Sequence, residues 1–248
     1  MRVLLGCLLL LLGCQAPADR YAVAGAARVQ AEHLAQWDRI EPRAFIDLAL
    51  QTFPDSAAPR ALEPALLTEL SDALAGADQR AVRAAVLLGR SRAPEALERL
   101  LLRLEQRVLG PQVGSDAVDV TAAQAFARLA PTASAADLER LLALAMGNTA
   151  HPDLEVRVEC ARSCVLHGRD DPLPFLLQVL RIDTWIGATD ERDFQVSQQT
   201  AWARHRAAEA LSARAGLPKT FHPDGSVERR QIEILKLEQA LRAAGALR

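Results

Sequence analysis

The sequence is poor in aromatic residues and in lysine, and it has no marked excess of charge of either sign. Aromatic side chains make up 4% of its 248 residues, and only two of its 29 basic residues are lysine. The formal net charge is −2, so the chain lacks the basic excess with which nucleic-acid-binding proteins displace counterions. The few aromatic residues offer no stacking platform for single strands. The composition argues against a general nucleic-acid-binding protein.

Cysteine is also scarce, and its four copies form no CxxC motif. Cys7 and Cys14 lie near the start of the chain, whereas Cys160 and Cys164 lie far inside it. A disulfide between Cys160 and Cys164 would strain the helix predicted there, so we expect both thiols to be reduced. The sequence therefore predicts no disulfide scaffold.

The first residues have the pattern of an export signal. Arg2 is followed by an apolar run over residues 3–12, which is shorter than the roughly 20 residues of a membrane-spanning helix. The run ends in Leu11-Leu12-Gly13-Cys14, which resembles the lipobox of bacterial lipoproteins. The resemblance implies that Cys14 becomes the first mature residue, is acylated with fatty acids such as palmitate, and anchors the protein to a membrane.

The residue after the cysteine bears on the location. Gln15 favours an outer membrane, since an aspartate at that position would suggest inner-membrane retention in enteric-type bacteria. We expect residues 1–13 to be a lipoprotein signal peptide and residues 14–25 a tether. The mature protein would then lie in the cell envelope, on the periplasmic side of the outer membrane if the organism has one. Two alternatives are an ordinary cleaved signal and a misassigned start codon before a buried helix.

Beyond the tether, apolar residues recur at helical spacing and no segment alternates convincingly like a strand. A pair of small residues followed by a larger apolar residue occurs four times, at intervals of 38, 38 and 47 residues. Small residues let stacked helices approach closely, and a Leu-rich second helix after each pair would extend a continuous core. The four occurrences are Ala84-Ala85 with Leu88, Ala122-Ala123 with Phe126, Cys160-Ala161 with Cys164, and Ala207-Ala208 with Leu211.

These features resemble HEAT-like repeats, the helical hairpins of α-solenoids. Val156-Arg157 ahead of Cys160-Ala161, and the segment from Asp78 to Arg83, look like that family's first helix. The resemblance implies an all-α fold, an α-solenoid of about four stacked hairpins over residues 78–248, with N-terminal capping helices over residues 26–77. The alternative is a non-repetitive, Ala-rich helical bundle. We predict second helices over residues 94–108, 134–146, 172–182 and 226–244, and capping helices over residues 26–40, 43–52 and 60–75.

No motif points to catalysis. Cys160, Cys164 and His167 share one helix face, and two thiolates with an imidazole could bind zinc or copper. The repeat alignment favours core positions for both cysteines instead, because they align with Ala, Leu and Phe in the other repeats. His-Pro-Asp occurs at 151–153 and 222–224, and we interpret both copies as helix starts. We predict a protein that is not an enzyme and that has no metal and no cofactor.

The third repeat interval is nine residues longer than the first two, and the extra length falls near residues 183–195. Insertions in repeat proteins map to loops, often on the binding face. An apolar anchor with a charged rim is one interpretation of this segment; the alternative is that its aromatic residues pack on the core and its acids are solvated. The candidate binding residues here are Trp185, Asp190, Glu191, Asp193 and Phe194.

We predict a membrane-anchored, non-catalytic scaffold that binds another protein of the cell envelope and no nucleic acid. The second helices would line an extended binding surface, and charged side chains along them would recognise the partner. Two other functions stay open: a structural spacer or assembly factor without a dedicated ligand, and a lyase-type enzyme, since some bilin lyases share HEAT-like repeats. The candidate recognition residues are Glu98, Arg99, Arg103, Glu139 and Arg140.

Overall fold

The computed structural model describes residues 37–54, 60–109, 117–129, 133–182, 191–218, 221–223 and 225–247. These residues form ten α-helices and no β-strand, which confirms the all-α prediction for this part of the chain. The predicted signal peptide, the tether and Cys14 lie outside the described residues. The helices are α1 (Pro42–Thr52), α2 (Pro64–Leu74), α3 (Gln79–Ser91), α4 (Pro94–Leu109), α5 (Ala117–Leu129), α6 (Ala135–Ala145), α7 (Leu154–Leu166), α8 (Leu173–Leu180), α9 (Glu191–Arg214) and α10 (Val227–Ala243).

Prolines and polar caps set where several helices begin. Pro42 and Pro64 are the first residues of α1 and α2, where the missing N–H breaks no hydrogen bond. The Asp153 side chain caps α7 by accepting a hydrogen bond from a backbone N–H of its first turn. This confirms the helix start predicted for the first His-Pro-Asp. After the second copy, Ser226 caps α10, and Asp224 lies outside the described residues.

The helices pack in two rows. In the odd row, made of α1, α3, α5, α7 and α9, each helix packs against the next. In the even row, α2 packs against α4, α4 against α6, and α8 against α10. Buried apolar residues from both rows form one continuous core. Within the described ranges, no helix combines the length and the apolar character that crossing a membrane would require.

The repeated small residues lie in the core of the odd row. All twelve residues of the four repeated patterns are at most 1% exposed, and they belong to α3, α5, α7 and α9. Gly89 shows how closely two of these helices approach, because a Cβ added there would lie 2.5 Å from the Cβ of Ala125. Small side chains therefore allow α3 and α5 to touch, as the repeat pattern predicted.

Both internal cysteines occupy core positions. Cys160 and Cys164 are free and fully buried, which confirms the prediction made from the repeat alignment. Burial raises the pKa of the Cys160 thiol well above its usual value and raises that of Cys164 to about 12. Both thiols therefore stay protonated at neutral pH and pack as small apolar groups.

Candidate functional site

The residues predicted to form a binding loop lie at the start of α9 or just before it. Trp185 and Asp190 lie outside the described residues. Glu191, Asp193 and Phe194 belong to the first turn of α9, which begins at Glu191. The loop expected near residues 183–195 is therefore wrong over residues 191–195, which form the start of this 24-residue helix.

Arg103 lies in the interior and not on the surface where we predicted it. Only 8% of the residue is exposed. Its Nε lies 2.7 Å from Oδ1 of Asp119 on α5, and its Nη1 donates hydrogen bonds to the carbonyl oxygens of Leu74, Ala75 and Gly76 at the end of α2. The side chain thus joins α2, α4 and α5, and we correct its role from partner recognition to support of the fold.

The carboxylate of Asp119 also lies close to the ring of His151. Nε2 of His151 lies 3.6 Å from Asp119 Oδ2, and both side chains are buried. Burial by itself raises the pKa of the Asp119 carboxyl, but its contacts with His151 and Arg103 outweigh burial and hold that pKa below the usual value. Nδ1 of His151 accepts a hydrogen bond from the backbone N–H of Asp153, so the neutral ring carries its proton on Nε2, toward Asp119.

Of the other four candidate recognition residues, all but Arg99 form ion pairs. Arg140 on α6 lies 2.7 Å from Glu105 and 2.6 Å from Glu98, both on α4. Glu139 on α6 lies 2.7 Å from Arg169, which belongs to the connection between α7 and α8. Arg99 is exposed, and no salt bridge from it occurs among the described residues. Of the three candidate arginines, only Arg99 presents its guanidinium without such a pair.

A groove of about 580 Å³ lies on the odd row, and no sequence motif pointed to it. It receives side chains from α1, α3, α5, α7 and α9. Among the described residues that line it, none is acidic. Large apolar side chains at the groove are unusually exposed: Ile46 48%, Leu50 42% and Leu166 49%. The charged side chains of the lining are four arginines, one each from α3, α5, α7 and α9: Arg90, Arg128, Arg162 and Arg206.

A buried carboxylate holds two of these arginines. Glu159 on α7 is 0% exposed, and its two oxygens lie 2.5 Å from Arg206 Nε and 3.3 Å from Arg162 Nη1. Arg206 also contacts Glu209 at 2.6 Å and lies over the ring of Trp202. Burial lowers the pKa of Arg206, but its hydrogen bonds and charge interactions with Glu159 and Glu209 together outweigh burial, so the pKa is raised and the charge is retained.

Both arginines keep hydrogen-bond donors that these pairs do not use. Within the described part of the chain, neither Nε nor Nη2 of Arg162 donates a hydrogen bond, and neither does Nη2 of Arg206. A guanidinium carries five N–H donors in a planar fork that fits a carboxylate or a phosphate. The groove can therefore bind an anion on a pair of cations whose positions are already fixed.

The sequence contains a signal for the ion pair between Glu159 and Arg206, in the alignment of the repeats. Glu159 and Arg206 each stand immediately before a small pair, at equivalent positions of neighbouring repeats. Since α7 packs against α9, equivalent positions on these two helices come together. Aligning the residues on either side of the small pairs would have brought two opposite charges into contact.

The described residues show no metal-binding arrangement. No three His, Cys, Asp or Glu side chains in these ranges are grouped so that they could hold a metal ion. His167 Nδ1 instead lies 3.3 Å from the carbonyl oxygen of Ser163, one turn earlier in α7. The candidate site is thus a groove with arginine and apolar side chains.

Comparison with known proteins adds no family to this geometry. A scan of protein-family models found no match to the chain, and searches of curated proteins and of solved structures found none either. The groove and its charged residues are accordingly the main basis for a function.

Proposed function

We propose that the protein is a non-catalytic scaffold of the bacterial cell envelope, held at a membrane by an acylated Cys14, and that the groove on the odd row binds another protein. One observation carries this proposal: a recess of about 580 Å³ that crosses five helices and carries both arginine and exposed apolar side chains. Arginine is enriched at protein interfaces, and their buried centres are more apolar than the rest of the surface.

The proposal includes an α-solenoid of HEAT-like hairpins. Its support is the recurrence of the small pairs, at intervals of 38, 38 and 47 residues, in the core of successive odd-row helices. In such arrays each repeat contacts its neighbours and the stacked helices present an extended binding surface. The proposed surface belongs to the first helices of the hairpins, because Arg140, Glu98 and Glu105 of the even row are already engaged in ion pairs with one another.

Affinity capture from intact cells tests the scaffold function. Only two residues of the chain are lysines, so amine-reactive crosslinkers would sample little of its surface, and a genetically encoded photo-crosslinking residue is the better choice. We expect one envelope protein to be enriched with the full-length chain and to be lost or much reduced when Cys14→Ala removes the anchor. A spacer without a dedicated ligand would enrich no protein. Equal enrichment with Cys14→Ala would contradict the role of the anchor.

A further inference from the structure

We infer that the groove binds an acidic, partly apolar peptide segment of the partner protein, with a carboxylate of that segment bound by Arg162 and Arg206. The inference rests on the proposed function and names the chemistry of what the groove accepts. Three features of the groove carry it: the fixed arginine pair, the length of the recess and the exposed apolar side chains.

The arginine pair is held in position before any ligand arrives. Glu159 is wholly buried beneath the groove and contacts both guanidinium groups. Side chains that are already ordered lose less conformational entropy on binding, and charge-assisted hydrogen bonds from arginine to a carboxylate are among the strong ones. The unused donors of Arg162 and Arg206 therefore favour a carboxylate over a neutral group.

The length of the groove favours a peptide strand over a small anion. Packed helices lie about 8–10 Å apart, so the three steps from α3 through α5 and α7 to α9 cover roughly 24–30 Å. An extended chain advances about 3.3 Å per residue, and roughly eight residues would fill this distance. Arg90 and Arg128 also line the recess, so positive side chains lie along it and not at one point.

The apolar side chains favour a peptide over a layer of lipid headgroups. Leu50 on α1 and Leu166 on α7 lie at the groove with more than 40% of their surface exposed. A peptide that alternates carboxylate and apolar side chains would cover them while it pairs with the arginines. A layer of headgroups is nearly flat, so it would reach a recessed guanidinium poorly.

The test is site-specific photo-crosslinking in intact cells with the full-length chain. A benzophenone amino acid replaces Leu166 in the groove or, as the matched control, the exposed Arg99 on α4. Mass spectrometry then identifies the crosslinked peptide. We expect an adduct from position 166 to a partner segment with net negative charge and apolar residues. Combining the probe with Arg162→Gln should lower the yield about tenfold, the loss expected for one charge-assisted hydrogen bond, whereas Arg99→Gln should leave it unchanged.

Several outcomes would overturn the inference: an adduct with phospholipid, with another segment of this chain, or with a neutral or basic segment, or a yield that Arg162→Gln does not change. Circular dichroism of the Arg162→Gln chain excludes misfolding as the cause of a loss. An adduct from position 99 alone would leave the scaffold function standing while the groove inference fails. No adduct from either position, together with no enrichment in the capture experiment, would overturn both.

Discussion

The two rows use the same charged residue types to different ends. In the even row, one arginine, Arg140, binds two carboxylates of α4, those of Glu98 and Glu105. In the odd row, one buried carboxylate, Glu159, contacts two arginines, Arg162 and Arg206, and Arg206 also contacts Glu209. In the first cluster all four carboxylate oxygens accept hydrogen bonds from Arg140, whereas Arg162 and Arg206 keep donors that their carboxylates do not use. The donors left unused within a cluster, more than the number of charges on a helix, therefore indicate which surface can receive an anion.

The largest effect is expected from the even row, in its interior. Arg103→Met would leave the Asp119 carboxylate without its closest cation and remove the donor to three carbonyl oxygens. Breaking a buried pair by removing one partner costs about 3–5 kcal/mol. Urea denaturation should show a loss of this size for Arg103→Met, while Arg99→Met on the same helix should change the free energy of unfolding by less than about 0.5 kcal/mol. Equal effects of the two substitutions would show that Arg103 is not structural.

The next effect concerns the close contact within the odd row. Gly89→Ala would place a methyl group 2.5 Å from Ala125, so α3 and α5 must separate. Overpacking of this kind costs about 1–3 kcal/mol, which thermal or urea unfolding can measure. The double substitution Gly89→Ala with Ala125→Gly should recover part of the loss. A stabilising effect of Gly89→Ala alone would contradict the close approach of Gly89 to Ala125.

A pH titration should report on the buried cluster that Asp119 forms with Arg103 and His151. Since the pKa of Asp119 is lowered in the folded state, the unfolded state binds more protons in acid. The stabilisation from Asp119 is therefore complete above its ordinary value of 3.8 and is lost as the pH falls through the lower, folded-state pKa. The free energy of unfolding, measured from about pH 6 down to about pH 3, should fall less steeply for Asp119→Asn than for the natural chain. Identical slopes would contradict the shift.

The smallest effect on stability is expected on the exposed side of the even row. Arg140→Gln removes half-exposed ion pairs, and such pairs contribute about 0–1 kcal/mol. Partner capture should also be unchanged, because these charges lie outside the groove. A marked loss of binding with Arg140→Gln, measured beside Arg162→Gln, would show that the binding surface lies on the even row.

Much of the helical pattern was predictable from the sequence. The second helices predicted at 94–108, 134–146 and 226–244 end within a residue or two of the observed bounds, because prolines and polar caps mark their starts locally. The small pairs were placed in the core correctly, since their spacing repeats. These successes depend on signals within one helix or on strict periodicity.

The charged residues were harder to assign because their roles depend on contacts between distant segments. Arg103 lies three residues after the buried Leu100 and directly before the buried Leu104, so its place in the apolar stripe was visible, but its acceptors on α2 and α5 were not. The groove forms only when the five helices of the odd row, α1, α3, α5, α7 and α9, lie side by side. No single segment contains it, and the pairing of Glu159 with Arg206 spans 47 residues.

The burial of Glu159 limits how the groove can change over evolutionary time. A substitution that removes or reverses Arg206 would leave a carboxylate inside the core facing only Arg162, so the variant would lose stability as well as ligand preference. Binding a basic partner instead of an acidic one would thus require several coordinated substitutions, whereas substitutions of the exposed leucines would cost little stability. The apolar residues of the groove can therefore change during evolution, while its preference for anions is conserved as long as the fold depends on Glu159 and Arg206.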